Sequence, residues 1–348
     1  MKIGFIAMSG IRACDPDLLQ LGLTLPGFIE RGKTIASLPS LGLLTLAGMT
    51  PAEHVVKYLE VDDMRSLPVL PEGFDLVVIS SFSAQILEAY ELADRFRSQG
   101  TVVVLGGLHV TVLPDEAARH ADSVVIGEGE PVWRTLLEDC GAGRLQPRYT
   151  SNGDFSLDDA PLPRFDLLDV NKYNRLTVQT SRGCPLRCEF CASSILLTPR
   201  YKLKPIAKVL AEIDAIRQIW RRPFLEFADD NSFVNRSYWK SLLAELQSRN
   251  LRWFTECDLR VYEDAELLDL MHASGCAEVL IGFESPIETG LPGLELKSDW
   301  KHRRWGEYRE AIQQIQSRGI RVNGCFILGL DGHTPDVFDA VYDFACEA

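Results

Sequence analysis

Hydrophobic runs alternate with amphipathic stretches along the first 145 residues. Nearly continuous Val/Ile/Leu runs occur at 2–8, 55–62, 74–81, 101–105 and 123–126, and helical periodicity occurs at 41–47 and 86–93. Strands that are apolar on both faces and separated by helices are typical of a parallel sheet covered on both sides. The pattern therefore predicts an α/β fold that begins with a doubly wound, Rossmann-like domain of about five strands at residues 1–145.

A second alternation of strands and helices begins near residue 173. Strand-like runs lie at 176–180, 224–228, 253–256, 278–283 and 321–328, with amphipathic helical stretches between them. Consecutive βα units predict a barrel or partial barrel at residues 173–348, with its chemistry at the carboxyl ends of the strands. The irregular stretch before it, rich in Gly, Pro and Asp, is interpreted as a linker at residues 146–172.

Small and polar residues follow three successive strands of the predicted first domain. They are Ser81, Ser83, Gly106, Gly107, Gly127 and Glu128. Parallel strands bring their carboxyl ends to one edge of the sheet, and doubly wound sheets bind ligands at that edge. The first strand is not followed by GxGxxG, which argues against a dinucleotide. The loops therefore indicate a site for another large ligand, although each loop alone also fits a simple turn.

Composition and charge narrow the classes of function. The 348 residues are 46% hydrophobic and 24% charged, which is typical of a globular protein and excludes disordered and fibrous classes. The formal charge of −13 disfavours nucleic acid and anionic lipid as partners. No apolar run approaches the ~18 residues of a membrane span, and the N-terminus lacks a signal-peptide pattern. We therefore predict a cytoplasmic protein without a membrane span.

Three of the nine cysteines are clustered. Cys184, Cys188 and Cys191 form C-x3-C-x2-C directly after the first strand of the predicted barrel. Three thiolates bind a soft metal and leave its fourth position open, which indicates catalysis, whereas a structural zinc needs a fourth Cys or His. The six histidines lie far away in the sequence. The spacing favours an iron-sulfur cluster with one open iron over structural zinc and over buried, unliganded thiols.

With Phe190, the cysteines match C-x3-C-x-aromatic-C, and the chain resembles the radical S-adenosylmethionine (radical SAM) superfamily. The resemblance implies that the cysteines bind a [4Fe-4S] cluster, that SAM chelates its fourth iron, and that Phe190 contributes to the SAM site. One electron, from a donor such as flavodoxin or ferredoxin, would cleave SAM to a 5′-deoxyadenosyl radical. The family barrel has six βα units, so we expect a partial (β/α)6 barrel that is truncated after its fifth unit.

The resemblance also implies SAM contacts at the ends of the later strands. Asp229 and Asp230 follow the second strand, where the family binds the amino group of SAM. Glu256 and Glu284 end the third and fourth strands, and Asn323 lies in a segment similar to the motif that packs against adenine. Taken as residues alone, the aspartates also fit a solvated turn, and the glutamates also fit salt bridges at the barrel mouth.

The N-terminal half resembles the cobalamin-binding-domain class of radical SAM enzymes, because of its 106–111 and 127–130 loops. The resemblance implies that the polar and glycine residues at the sheet edge, named above, bind cobalamin. Other cobalamin domains supply a histidine to cobalt from D-x-H-x-x-G after the first strand, but residues 7–12 contain no histidine. We therefore expect cobalt without histidine ligation, and we interpret His109 as a structural residue.

The leading hypothesis is a cobalamin-dependent radical SAM methyltransferase that acts on an unactivated carbon of a small-molecule or lipid substrate. One alternative is a radical SAM cyclase or an adenosyl- or alkyl-transfer enzyme with a cobalamin-free N-terminal domain. Another, from a different class, is a non-catalytic cobalamin- or metal-binding sensor. A nucleic-acid substrate is disfavoured because only short basic groups occur, such as residues 221–222 and 301–304.

Overall fold

The computed structural model describes residues 1–8, 38–61, 64, 67–192 and 200–348. The chain folds into two compact units, residues 1–177 with 210–221 and residues 178–209 with 222–348. Within the described residues, no helix combines the length and the apolar character that crossing a membrane requires.

The first unit is built on a parallel sheet. Its strands are β1 (Lys2–Met8), β2 (Val55–Val61), β3 (Leu76–Ser80), β4 (Val102–Gly106), β5 (Ser123–Ile126) and β6 (Arg148–Thr150). Its helices are α1 (Leu41–Met49), α2 (Ile86–Ser98), α3 (Leu108–Val112), α4 (Pro114–Ala117) and α5 (Glu130–Gly141). The strand order is β2-β1-β3-β4-β5-β6. This order places the topological switch point, where such sheets bind ligands, between β1 and β3.

Both faces of this sheet are covered. On one face, Ile79 of β3 belongs to the same buried cluster as Tyr90 and Phe96 of α2. On the other face, Phe5 of β1 packs with Trp133 of α5 at a ring distance of 5.5 Å. Alternate strand residues thus point into two separate cores, which is why the strands are apolar throughout. The predicted doubly wound, Rossmann-like fold is confirmed.

The sheet has one strand more than the sequence pattern predicts. Strand β6 lies within the stretch interpreted as a linker and pairs in parallel with β5, from Val124 opposite Arg148 to Ile126 opposite Thr150. A three-residue strand that follows a proline carries too little periodic signal to be recognised. Three short 3₁₀ turns, Leu157–Asp159, Phe165–Leu167 and Val170–Lys172, complete the stretch.

The second sheet has the order β13-β12-β11-β10-β7. Its strands are β7 (Leu176–Val178), β10 (Phe224–Ser232), β11 (Arg252–Cys257), β12 (Cys276–Glu284) and β13 (Arg321–Phe326), and β8 (Ser181–Arg182) pairs separately with β9 (Lys202–Leu203). The helices in this part of the sequence are α6 (Ile206–Ile219), α7 (Arg236–Leu246), α8 (Ala265–Ala273), α9 (Trp300–Arg303), α10 (Tyr308–Gln316) and α11 (Val337–Glu347). All five predicted strands of the second half are present.

Strand β10 is regular in its first half and bulged in its second. Phe227 is fully buried and packs edge to face with Trp239 and Trp253, at ring distances of 5.3 and 5.2 Å. Beyond Phe227 the register with β11 shifts, because Phe227 pairs with Thr255 whereas Ser232 pairs with Cys257. A bulge re-aims the side chains of the residues it contains. These residues are Ala228, Asp229, Asp230 and Asn231.

Candidate functional site

The three clustered cysteines lie in the irregular segment that follows β8. Cys184, Cys188 and Cys191 form no disulfide and are half-buried. Burial raises the pKa of the Cys184 thiol and raises that of Cys188 to about 11. The charges of Cys184 and Cys191 contribute to the rise in the pKa of Cys188, so both of these thiols lie near Cys188. We name residues 183–191 the cysteine loop.

Asp229 and Asp230, on the bulge of β10, hold the chain that leads into the cysteine loop. Asp229 accepts hydrogen bonds from the backbone N–H groups of Thr180 (2.7 Å) and Ser181 (2.9 Å), and its second oxygen accepts one from the Thr180 hydroxyl. Asp230 accepts a hydrogen bond from the Gly183 N–H at 2.6 Å. The aspartates therefore position the backbone just before Cys184.

These hydrogen bonds bear on the expectation that Asp229 binds the amino group of SAM. Its side chain is only 3% exposed, both oxygens bond Thr180 and Ser181, and burial raises its carboxyl pKa. A carboxylate enclosed in this way is an anchor of the cysteine loop and is not presented to an incoming ammonium group. The burial and the hydrogen bonds of Asp229 disfavour a direct contact with SAM, which stays a prediction, and they differ from those of a solvated turn.

A segment that follows β12 pairs with the middle of the cysteine loop. The Glu189 N–H donates to the Leu294 carbonyl, and the Leu296 N–H donates to the Arg187 carbonyl, both at 2.9 Å. Cys188 thereby lies opposite Glu295 in an antiparallel bridge. We name residues 294–298 the brace. Sequence patterns did not reveal it, because an irregular segment carries no periodicity that would indicate its partner.

Glu295 is the centre of the brace. Its side chain is 1% exposed, and its Oε1 accepts from the N–H groups of Arg187 (3.2 Å) and Lys297 (3.1 Å). Its Oε2 accepts from the N–H (2.8 Å) and the hydroxyl (2.7 Å) of Ser298. Burial alone would raise the carboxyl pKa, but these hydrogen bonds outweigh it and lower the pKa to about 2. Glu295 is therefore a buried carboxylate stabilised by hydrogen-bond donors.

Glu284, at the end of β12, forms a buried ion pair. Its Oε1 lies 2.6 Å from the Nζ of Lys301, and both side chains are at most 9% exposed. The Lys301 ammonium also donates to the Gly282 carbonyl at 2.9 Å and lies over the Trp300 ring. Of the two alternatives left open for Glu284, the structure shows the salt bridge. The sequence did not predict that Lys301 is buried, because a run of basic residues such as 301–304 is typical of a solvated face.

Glu256 and Asn323 lie in one row of the second sheet. Glu256 pairs with Leu280, and Leu280 pairs with Asn323 on the next strand. Residues paired across parallel strands point to the same face, and both polar side chains are exposed there. The Phe190 ring in the cysteine loop is 46% exposed. These three predicted SAM residues are therefore accessible to a ligand.

The predicted cobalamin residues of the first unit meet at the carboxyl edge of its sheet. Gly107 has φ +108°, and a Cβ at this position would lie 3.3 Å from the Ser80 hydroxyl and 3.4 Å from the Ser81 carbonyl. Gly127 has φ +85°, and a Cβ there would lie 2.9 Å from the Ser151 carbonyl. The close packing of these loops requires glycine at both positions.

The remaining predicted cobalamin residues differ in accessibility. Ser83 is exposed beyond β3, Ser81 is buried, and Gly106 ends β4 next to Gly107. Glu128 is 7% exposed and accepts a hydrogen bond from the Phe155 N–H at 3.2 Å, so it holds the chain after β6. Residues 9–12, where the absence of a histidine was noted, lie outside the described residues.

Two domain descriptions match the chain. The Radical SAM superfamily matches residues 178–345, and the B12 binding domain matches residues 33–137. This chain combines a B12-binding domain with a radical SAM domain. The family predicted from the cysteine motif and the N-terminal loops is confirmed, and its two domains imply the predicted cofactors, a [4Fe-4S] cluster, SAM and cobalamin.

The curated relatives include named methyltransferases. Bacteriochlorophyllide d C-12(1)-methyltransferase of Chlorobaculum tepidum is 29% identical over 311 residues, which cover 87% of this chain and 67% of the relative. Hopanoid C-2 methylase of Rhodopseudomonas palustris is 27% identical over 320 residues, covering 89% of this chain and 60% of the relative. This chain thus spans about two thirds of these relatives.

A solved structure shares the fold. It is the radical SAM methyltransferase TsrM of Kitasatospora setae with cobalamin and a [4Fe-4S] cluster bound, with a TM-score of 0.70 and 16% identity. The match covers 99% of this chain and 73% of TsrM. The predicted α/β architecture, with a second parallel sheet in the radical SAM region, is confirmed by this likeness.

The cysteine loop fits an iron-sulfur cluster better than a single metal ion. Among the described residues, no group of three or more Cys, His, Asp or Glu side chains is arranged to hold one ion. A [4Fe-4S] cluster binds each thiolate at a different iron, so its ligands surround a volume and do not converge on one point. Three thiols that form no disulfide lie on one loop, whose backbone is held at Gly183 by Asp230 and at residues 187–189 by the brace, and this donor set suits such a cluster.

Proposed function

We propose that this chain is a cobalamin-dependent radical SAM methyltransferase that transfers a methyl group to an unactivated carbon. The observation that carries the proposal is the presence in one chain of an anchored three-cysteine loop and a B12-binding domain. The names of the two curated relatives support methyl transfer. We further propose a small-molecule or lipid substrate and an electron donor such as flavodoxin or ferredoxin.

In this proposal, Cys184, Cys188 and Cys191 hold the cluster. When bound, the cluster supplies the electron that cleaves SAM, and cobalamin carries the methyl group. The bulge of β10 holds the loop backbone just before Cys184 and the brace holds it on both sides of Cys188, so these two ligands are preorganised before the cluster binds. Little of the free energy of cluster binding is therefore needed to order the loop.

The exposed polar row of the second sheet is the proposed SAM surface. Glu256 and Asn323 supply polar groups from β11 and β13, Phe190 supplies an apolar ring, and Asp230 lies next to the loop. We leave Asp229 and Glu284 out of this set, because their carboxylates already bond Thr180 and Ser181 and Lys301, respectively. For cobalamin, the proposed contacts are Ser81, Ser83, Gly106, Gly107 and Gly127, without Glu128.

The proposed location is the cytoplasm. The described cysteines outside the loop, such as buried Cys257 and Cys276, are also free. Thiols persist in a reducing compartment, whereas oxidising compartments favour disulfides. The proposed location is therefore consistent with the thiol content of the described chain.

Reconstitution followed by a labelling assay tests the proposal. The full chain is loaded anaerobically with iron, sulfide and hydroxocobalamin, desalted, and incubated with methyl-labelled SAM and a reductant. We expect cluster absorption, stoichiometric cobalamin and label transferred to the cobalamin fraction. Cluster absorption without cobalamin would contradict methyl transfer and would favour cyclisation or another reaction that uses SAM alone.

A single substitution at the sheet edge tests the cobalamin site. Ser83→Trp fills the space beyond β3 without entering the core, because Ser83 is exposed. We expect the affinity for hydroxocobalamin to fall at least tenfold, about 1.4 kcal/mol, measured by equilibrium dialysis. Val55→Trp is the matched control, since Val55 is 59% exposed at the opposite, amino edge of the sheet. Equal affinities in the two variants would exclude the carboxyl edge as the binding site.

A further inference from the structure

The side-chain amide of Asn231 reaches a cysteine of the cluster motif. Its Nδ2 lies 3.6 Å from the Sγ of Cys184, within hydrogen-bond range for sulfur, and 2.9 Å from the Oδ2 of Asp258. An amide NH₂ group has two N–H donors, so it donates to both acceptors at once. Asn231 is 5% exposed, and these contacts are therefore made away from bulk water.

The orientation of this amide is fixed by the chain. The Asp258 N–H donates to the Asn231 Oδ1 at 3.0 Å, and a backbone N–H cannot accept a hydrogen bond. A flipped amide would place two donors against each other at this contact. The Asn231 oxygen must therefore face the backbone of Asp258, which turns the NH₂ group toward the Cys184 sulfur.

A second layer holds Asp258 in place. The Arg260 guanidinium donates to both oxygens of Asp258, from Nε at 3.0 Å and from Nη2 at 2.6 Å. The arginine thus compensates the carboxylate charge within this network. As a result, the network presents an N–H donor to the sulfur, and the arginine pairs with the carboxylate that shares this amide.

We propose that Asn231 is a positioning residue that raises the reduction potential of the [4Fe-4S] cluster through its N–H···S hydrogen bond to Cys184. A donor to a ligating sulfur withdraws negative charge from the cluster, so adding one electron costs less free energy. The inference rests on the assignment of the cluster to the cysteine loop, which the proposed function shares. It does not depend on cobalamin, on methyl transfer or on the substrate.

A redox titration of the reconstituted full chain tests this inference without SAM. Dithionite supplies the single electron that each cluster accepts, and the reduced cluster is counted by electron paramagnetic resonance. In Asn231→Leu, which keeps the side-chain size and removes the donor, we expect a midpoint potential more negative than in the wild type at equal iron and sulfide content. Asn152→Leu makes the same change at an exposed residue of the first unit, and we expect it to leave the midpoint potential unchanged.

A potential unchanged in Asn231→Leu at full cluster content would overturn the inference. If the leucine variant does not take up the cluster, Asn231→Ser is titrated instead, because its shorter side chain is polar but does not reach Cys184. The wild-type chain provides a third measurement that needs no substitution. With ¹⁵N-labelled asparagine, we expect a ¹⁵N coupling to the reduced cluster in pulsed electron paramagnetic resonance, and its absence would also overturn the inference. Failure of methyl transfer would leave all three measurements unaffected.

Discussion

Cys188→Ala is expected to abolish cluster binding and to leave cobalamin binding intact. Cys188 is the central thiol of the loop and is held opposite Glu295, so no other described cysteine is placed to replace it. Two thiolates leave two irons of the cluster without protein ligands. We expect iron and sulfide content near zero, and SAM cleavage lost by at least a thousandfold, about 4 kcal/mol in the barrier.

The measurement is absorption and iron analysis after reconstitution with hydroxocobalamin. Cys346→Ala is the control, because Cys346 is exposed and lies outside the cysteine loop. We expect wild-type cluster content in the control and stoichiometric cobalamin in both variants. Loss of cobalamin together with the cluster would contradict separate sites for the two cofactors.

Glu295→Ala is expected to disrupt the cysteine loop without unfolding the chain. The substitution removes the acceptor of four hydrogen bonds and leaves partly buried backbone donors of Arg187, Lys297 and Ser298 without their partner. Because water reaches these donors in part, each costs about 1 kcal/mol, the low end of the range for buried donors, and we expect the loop to lose about 3 kcal/mol of stability. Cluster content should fall several-fold, and the amides of Arg187 and Glu189 should lose protection in hydrogen exchange.

The control for this variant lies in the same segment. Glu288→Ala removes an exposed carboxylate that contacts His302, outside the brace. We expect its cluster content and its exchange protection in the loop to match the wild type. Protection of Arg187 retained in Glu295→Ala would show that the loop holds its conformation without the brace.

The lowered pKa of Glu295 adds a dependence on pH. The folded-state pKa of about 2 lies below the ordinary value of 4.5, so the ionised carboxylate stabilises the fold above pH 4.5 and this contribution is lost as the pH falls toward 2. The shift corresponds to roughly 3 kcal/mol. In urea unfolding of the cluster-free chain, the difference between the wild type and Glu295→Gln should therefore shrink between pH 5 and pH 2. A difference that stays constant over this interval would contradict an ionised, stabilising Glu295.

The sequence revealed most about elements whose signal is local. Apolar runs predicted every strand of the second sheet and five of the six strands of the first. In the first sheet the runs are long because strands buried on both faces must be apolar throughout. Strand β6 was missed because its three residues are held by pairing with β5 and not by their own pattern. The cysteine motif was equally readable, since three ligands with short, fixed spacing occupy one loop.

Contacts between distant segments were not readable. Asp229 and Glu284 lie at the predicted strand ends. The bulge of β10 turns Asp229 toward Thr180, and Glu284 forms an ion pair with Lys301. Glu295 lies more than a hundred residues from Arg187, and no spacing rule connects them. Asn231 follows the predicted aspartates directly in the sequence. Its role depends on its contacts with Asp258 and Cys184, which only the fold brings near it.

The sequence by itself determined the two α/β folds and the cofactor class and predicted the cluster ligands, because hydrophobic period and ligand spacing are properties of contiguous residues. Only the tertiary structure decided which polar side chains form hydrogen bonds within the chain and which remain accessible to a ligand. The physical reason is that a buried carboxylate or amide must be satisfied by whatever partner the fold brings within ~3 Å. That partner is set by strand order, by the bulge of β10 and by the brace.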